Sequence, residues 1–282
     1  MTRGSDSGEP LVIESTGHRA VPEPPAELRT DRGYYRYGYV AVAKWLTRYH
    51  RASVEGEGPV RGPCIYVTHH GAGYLNLDLA VASYLLAWER WYECAEPLTP
   101  LRIVAARGHA LEQAIPGLSG IKRQLGLIDP SVASCLAVLE RGEQLLVTPG
   151  GQRESTPGAR HYRLKWEQRY GFVRLALETG APIVPLAVVG GFTAFPGFAC
   201  RGLSVWCPVP LPVRLDVAVG TPIHVARAPA LTRDAETVIP LHGEAWRMTQ
   251  ALYDQLLRRR SQRRSGRLFR RFTLTRSHHN AD

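Results

Sequence analysis

Two adjacent histidines, His69 and His70, close a short β-branched and aromatic run, PCIYVTHH, and open onto Gly71-Ala72-Gly73. Imidazole titrates near neutrality, so a histidine in a glycine-flanked turn at a strand end can take the proton of a hydroxyl group. Asp78 follows at the start of the next apolar-periodic stretch. The helix dipole favours a carboxylate there. An acid within reach of an imidazole fixes its tautomer and stabilises the imidazolium. The competing reading is structural: the histidines cap or pack, and Asp78 caps its helix. A metal site made of His69, His70 and Asp78 fits poorly, because successive side chains of a strand point to opposite faces. The same alternation turns only one of the two histidines toward any one cleft.

A second block is Pro149-Gly150-Gly151-Gln152-Arg153-Glu154. Paired glycines let the backbone approach a ligand, and their N–H groups can hold an anion or oxyanion. Arg153 suits a phosphate or holds Glu154. Pro-Gly-Gly alone is also an everyday turn. In the segment Tyr162–Phe172, basic and aromatic residues interleave, which fits either a groove for an acyl donor or a phosphate-bearing lipid, or a solvated helix start.

The elements that must position these residues alternate in type. PCIYVTHH reads as a strand. The run LDLAVASYLLAWERWYE reads as a helix capped by Asn76. Residues 101–106 and 144–151 read as strands, 131–142 as a helix closed by Gly142, and 166–180 as a helix ended by Gly180. Residues 181–190 form a buried strand, 213–225 a late strand and turn, and 242–260 a last helix. Strands alternating with helices imply an α/β fold, a single mostly parallel sheet flanked by helices. Ligands gather at the carboxyl ends of such strands, where His69, His70 and Gly150-Gly151 all fall.

The formal net charge is +10, and it is unevenly placed. Residues 258–282 hold nine arginines and one acid, Asp282, a net of +8 that leaves +2 for residues 1–257. The chain divides into a disordered arm (1–30), an α/β domain (31–257) and an Arg-rich tail (258–282). Five scattered cysteines without a Cys-x-x-Cys pair argue against a disulfide framework and a zinc site, and for a reducing, cytosol-facing compartment. The N-terminus is too polar for a signal peptide. No apolar run reaches the roughly 18 to 20 residues that span a bilayer. The stretch at 33–51 repeats aromatic, apolar and basic residues at helical spacing, which suits either a membrane interface or ordinary packing.

Taken in order, these pieces resemble the glycerolipid (lysophospholipid) acyltransferase superfamily, and within it the diacylglycerol-acyltransferase-like branch. They are a histidine turn, a helix, Pro-Gly-Gly-x-Arg-Glu, a Trp-x-x-Arg-x-Gly-Phe helix and a buried Pro-Ile-Val-Pro strand. The resemblance runs from about Arg51 to His224, and VAVGTPIHV is similar to the family's late Gly-x-Pro-Ile element. It implies a histidine general base that activates an acceptor hydroxyl for attack on an acyl-CoA or acyl-carrier-protein thioester, with no other cofactor. Carried over, His70 matches the base, with His69 a second candidate, and Asp78 matches the paired acid. Gly150, Gly151, Arg153 and Glu154 match the acceptor-site block. The chain departs from the family in two places. His70 and Asp78 stand eight positions apart instead of five, with a glycine-rich insertion between them. Gly150 replaces the glutamate of the lysophosphatidate enzymes, which favours a neutral or unusual alcohol.

The expected partners are an acyl thioester, a lipid acceptor such as a lysophospholipid, acylglycerol or long-chain alcohol, and an anionic membrane surface. The Arg-rich tail, with Leu268, Phe269 and Phe272, and the N-terminal helix would meet that surface. Each basic residue near an anionic bilayer is worth about 1 kcal/mol. A disordered solubilising tail is the next reading, and nucleic-acid binding ranks below both. The expected location is the cytoplasmic face of a membrane. A rival reading keeps the scaffold and drops catalysis, leaving a lipid- or nucleic-acid-binding protein. A serine hydrolase ranks last, since Gly117-Leu118-Ser119-Gly120 lacks a Gly-x-Ser-x-Gly elbow.

Overall fold

The seven residues Ile183–Val189 are apolar throughout, and every one is buried. A strand that is apolar on both faces belongs in the middle of a sheet covered on both sides. The computed structural model has that arrangement, and describes residues 40–57, 60–72, 77–88, 101–105, 127–155, 162–200, 203–207 and 209–276. In chain order the strands are β1 (Ser53–Gly56), β2 (Ile65–Val67), β3 (Leu101–Val104), β4 (Leu127–Ile128), β5 (Gln144–Val147), β6 (Ile183–Val189), β7 (Gly197–Cys200), β8 (Leu203–Trp206) and β9 (Asp216–Val219). Seven of them form one sheet in the order β1-β9-β6-β2-β5-β3-β4, and β7 and β8 form a separate antiparallel pair. The run from β6 to β4 is parallel, while β9 is antiparallel to β6 and parallel to β1. The mostly parallel sheet expected from the sequence is therefore present, with two reversed strands at one edge.

The helices are α1 (Val40–Tyr49), α2 (Leu77–Ser83, continued by a π turn at Tyr84–Trp88), α3 (Val132–Glu140), α4 (Gly171–Thr179), the short α5 (Gly191–Ala194) and α6 (Ala235–Arg276). Alternation along the strands sends Ile65, Val67, Leu145, Ile183 and Ala187 to one face, where α3, α4 and α6 cover them. Tyr66, Leu146, Val184, Leu186 and Val188 go to the other face, against α1 and α2. Burying a side chain of this size is worth about 1.5–3 kcal/mol, so the two layers fix the strand ends that carry the site.

Several boundaries differ from those the sequence suggests. The helix expected from 166 starts at Gly171, because Glu167 takes a left-handed backbone (φ 45) and breaks the run. The last helix begins earlier, where Asp234 accepts from the backbone N of Thr237 at 3.0 Å, and continues without interruption past residue 258 to Arg276. Strand β4 and the β7–β8 hairpin have no counterpart in the sequence reading. They are two to four residues long, too short to show a period. The expected arm at 1–30, the Asn76 cap and the Ser119 segment lie outside the described residues.

Candidate functional site

Strand β2 ends at Val67, which stands in register with Val147 of β5 and Pro185 of β6. The turn at 68–72 therefore emerges between the loop after β5, residues 148–155, and the turn after β6, residues 190–192. Three connections meet at the carboxyl rim of the central strands, where an open parallel sheet binds ligands.

The two histidines have different surroundings. His69 is buried (2% exposed) in a box of aromatic rings. Its ring lies edge-on to Tyr162, Phe192 and Tyr253, with centroids 5.5, 5.7 and 5.7 Å away. Its Nδ1 donates to the His70 carbonyl at 2.7 Å. Burial pushes the imidazole down to about 4, so the ring is neutral at physiological pH. His70 is half-buried, and its Nδ1 donates to the Gly71 carbonyl at 3.1 Å. A carbonyl only accepts, so Nδ1 carries the hydrogen and Nε2 is the basic nitrogen of the neutral ring.

Two buried carboxylates pin the histidine turn from either end. Glu154 accepts from the backbone N of His70 at 2.9 Å through Oε2, and from the backbone N of Lys165 at 2.6 Å through Oε1. Asp78 accepts from the backbone N of Ala72, at 3.1 Å through Oδ2, and from the backbone N of Leu79, at 3.0 Å through Oδ1. Each carboxylate lies against a glycine. A Cβ on Gly150 would stand 2.0 Å from Glu154 Cδ, and a Cβ on Gly191 would stand 2.0 Å from Asp78 Oδ2. Burial raises Glu154 to about 7, against the pull of the N–H bonds from Lys165 and His70. It raises Asp78 to about 6, against those from Ala72 and Leu79.

Tyrosines complete the support. Tyr253, on α6, bonds Thr68 Oγ1 at 2.8 Å through its hydroxyl, which also accepts from the backbone N of His69 at 3.3 Å and of Val188 at 3.2 Å. The Tyr162 hydroxyl accepts from the backbone N of Gly190 and Phe192 at 2.9 and 3.4 Å. Burial pushes Tyr162 up to about 12, so this hydroxyl stays protonated. Thr68, the first residue past β2, and Val188 of β6 are thus tied through one residue of the final helix.

The sequence-predicted site residues are distributed as follows. His69, His70, Asp78, Gly150 and Glu154 gather around one turn. The Gly151 N–H is committed to the Thr148 carbonyl at 3.0 Å, and Gly151 itself takes the left-handed backbone that glycine tolerates (φ 58). Arg153 is half-exposed and pairs with Glu167 at 2.5 Å, at the outer edge of the loop. In the segment after it, Tyr162, Leu164 and Trp166 point inward while Arg163, Lys165 and Glu167 point out. That is the alternation of an extended chain rather than a helix start. Tyr253 and Gly191 support the site without having been anticipated, and Tyr162, singled out in the sequence only as part of a basic-aromatic segment, supports it through its hydroxyl. Tyr253 reads as one more apolar position of a helical stripe, and nothing in its neighbours hints that its hydroxyl reaches a residue 184 positions earlier.

The fold has a counterpart among solved structures. The crystal structure of the lysophosphatidate acyltransferase PlsC from Thermotoga maritima superposes with a TM-score of 0.53 at 16% identity, covering 77% of this chain and 78% of that one. The diacylglycerol acyltransferase family model matches residues 111–195. "Diacylglycerol O-acyltransferase 1" of Schizosaccharomyces pombe is 28% identical over 46% of this chain and 46% of its own length. "DGAT1/2-independent enzyme synthesizing storage lipids" of Gallus gallus is 26% identical over 44% of this chain and 34% of its length. "Phytyl ester synthase 2, chloroplastic" of Arabidopsis thaliana is 30% identical over 49% of this chain and 19% of its length. The chain spans between a fifth and a half of the length of these curated relatives. Its fold is that of the solved acyltransferase, and part of its sequence is similar to diacylglycerol acyltransferases.

Proposed function

We propose that this chain is an O-acyltransferase that moves a fatty acyl group from a thioester, on coenzyme A or a carrier protein, to the hydroxyl of a lipid alcohol. His70 is the general base. The observation that carries this reading is the asymmetry of the histidine pair. His69 is locked in an aromatic box, whereas His70 sits half-buried at the rim with Nε2 as its basic nitrogen. His70 Nε2 takes the hydroxyl proton as the acceptor oxygen attacks the thioester carbonyl. The C–O bond forms, the C–S bond breaks, and the imidazolium returns its proton to the departing thiolate. Ester and free thiol leave. Glu154 and Asp78 act on this step as positioning residues, by fixing the backbone on either side of the base.

The acceptor belongs to the class of lysophospholipids, acylglycerols and long-chain alcohols, and the protein works on the cytoplasmic face of a membrane. No described helix is long and apolar enough to cross one. Trp45 and Val42 of α1 are exposed (58% and 54%), and Trp45 stacks on Tyr49. The Tyr49 hydroxyl donates to the Pro210 carbonyl at 2.8 Å, which brings α1 beside the exposed Val209 and Leu211. Apolar side chains gathered on a basic protein suit an anionic lipid surface.

The test is turnover of labelled acyl-CoA with a panel of lysophospholipids, mono- and diacylglycerol and long-chain alcohols. His70→Ala is expected to lower kcat by about 100-fold or more, and His69→Phe far less. Full turnover in His70→Ala, with the loss falling on His69→Phe, would move the base and overturn the assignment.

A further inference from the structure

Asp216, the first residue of β9, is a buried carboxylate surrounded by arginines. Its Oδ1 meets Arg214 Nε and Arg263 NH1, each at 2.8 Å, and its Oδ2 meets Arg260 NH1 at 3.2 Å. Arg260 also donates to the Arg214 carbonyl at 2.7 Å, and Arg214 NH2 donates to Ser53 Oγ at 2.8 Å. Burial pushes the Asp216 carboxyl up, but the bonds from Arg263 and Arg214 outweigh it and hold the group below its ordinary value. Asp216 is therefore charged at neutral pH. One negative charge is shared by three guanidiniums, and two of them, Arg214 and Arg263, have side chains 46% and 45% exposed.

This is more positive charge than locking β9 to α6 requires. A guanidinium carries five N–H donors in a fixed fork; Asp216 is bonded by one nitrogen of each exposed one, Arg214 Nε and Arg263 NH1, and Ser53 by a second of Arg214. The shared carboxylate also holds both side chains in place, so an incoming anion orders less on binding. The location points to the site. Asp216 stands in register with Val189, the last residue of β6, and Arg260 closes over the next residue, where a Cβ on Gly190 would stand 3.1 Å from its NH1. The Gly190 N–H is bound by Tyr162, whose ring packs against His69. The cluster thus occupies the rim on which the histidine turn stands, on the α6 side of the sheet.

We propose that Arg214 and Arg263, held on Asp216 beside Arg260, form a seat for a phosphate ester next to the catalytic turn. This rests on the acyltransferase reading for its sources of ligand. One is the phosphates of the thioester donor and the other is the headgroup of an anionic lipid. Planar forks on a preorganised anchor suit phosphate better than point charges do.

The experiment uses the full chain and three variants: Arg214→Gln, Arg263→Gln, and Arg259→Gln as a control. Arg259 pairs with Glu55 at 2.6 Å outside the cluster, so its loss removes the same charge from the same region. Two affinities are measured without turnover. They are the Kd for coenzyme A by calorimetry, and binding to phosphatidylcholine vesicles with and without phosphatidylglycerol. Thermal unfolding of each variant checks that it folds, and Arg263→Lys replaces any that does not. Arg214→Gln and Arg263→Gln are expected to weaken one of the two by about tenfold, and Arg259→Gln by far less. Loss of coenzyme A affinity, with a matching rise in KM for acyl-CoA, assigns the seat to the donor. Loss of phosphatidylglycerol-dependent binding assigns it to the headgroup. Equal losses in all three variants would mean diffuse electrostatics and overturn the seat, and no loss in either affinity would leave a purely structural cluster. If no acyl transfer is found with any acceptor and vesicle binding still depends on Arg214 and Arg263, the reaction falls and the seat stands.

Discussion

Asp78 and Glu154 reach the histidine turn from opposite sides and by different routes, yet each does the same thing to it. Each is buried, accepts two backbone N–H groups, and fills the space that a glycine leaves open. The difference lies in reach. Asp78 is short and sits on its own helix start, bonding a residue six positions back and one position ahead. Glu154 spans two distant segments, 84 residues back to His70 and 11 ahead to Lys165. The aspartate serves local geometry at the far end of the turn. The glutamate ties the candidate base itself to the loop after β5. The comparison also gives the Gly150 substitution a physical meaning. A larger residue at 150 would stand where the Glu154 carboxylate now lies.

The glycines test the comparison most severely. Gly191→Ala puts a methyl 2.0 Å from Asp78 Oδ2 and 3.2 Å from its Cβ, so the short side chain has nowhere to retreat. Losing two bonds from a buried carboxylate is expected to cost about 3 kcal/mol, with a matching collapse in kcat. Gly150→Ala meets only the far end of a longer side chain, so about 1–2 kcal/mol is expected. Denaturant unfolding measures both. If Gly150→Ala proves the costlier, the difference in reach between the two carboxylates is not what governs them.

How much of this was legible in the sequence follows from the range of the interactions. The α/β class, the central strand at 183–189 and the histidine turn rest on local periodicity and strand-end chemistry, which a single sequence displays. His70, Asp78 and Glu154 stood out by type, and the structure gathers them at one rim. Their partners were not visible. Glu154 as a strut depends on Lys165 passing behind it in extended form, and the basic-aromatic alternation there read equally well as a helix start. The boxing of His69 depends on Tyr253, contributed by the last helix, and on Phe192, whose position is set by the turn after β6. Such contacts are properties of the assembled sheet, not of any window of residues.

The amide replacements sharpen the comparison at smaller cost. In Glu154 each oxygen accepts a different N–H, so Glu154→Gln must turn its NH₂ toward the N–H of His70 or of Lys165. A loss of about 1–3 kcal/mol is expected, together with a drop in kcat if the proposed base, His70, moves with its backbone. Asp78 Oδ1 lies within 3.0 Å of the Leu79 N and 3.3 Å of the Ala72 N. One oxygen can therefore serve both, and Asp78→Asn is expected to cost about 1 kcal/mol or less. Equal effects in the two variants would erase the distinction.

The dependence on pH separates the pair by window. Burial raises both carboxyls, so the folded state holds the proton more tightly than the unfolded chain. Each contribution to stability is whole below the ordinary value, 4.5 for Glu154 and 3.8 for Asp78, and is lost as pH rises through about 7 and about 6. The stability of the wild type relative to Glu154→Gln is expected to fall with rising pH up to about 7, with a slope of at most about 1.4 kcal/mol per pH unit. Relative to Asp78→Asn it is expected to fall up to about 6. Equilibrium unfolding across this range reads both curves, and a difference that grows with pH would mean that the N–H donors outweigh burial.

The smallest effect is expected at His69. Its box of Tyr162, Phe192 and Tyr253 accepts a phenyl ring of similar shape, and the chief loss in His69→Phe is the 2.7 Å bond to the His70 carbonyl. About 1 kcal/mol of stability should go. Activity should fall by less than about tenfold, because that bond only steadies the peptide that Glu154 already grips on its N–H side. The double variant His69→Phe with Glu154→Gln then becomes informative. If the two residues hold the same peptide, their costs exceed the sum of the single changes by about 0.5 kcal/mol or more. Strict additivity would mean that Glu154 sets the position of the base by itself and that the aromatic box around His69 only fills space.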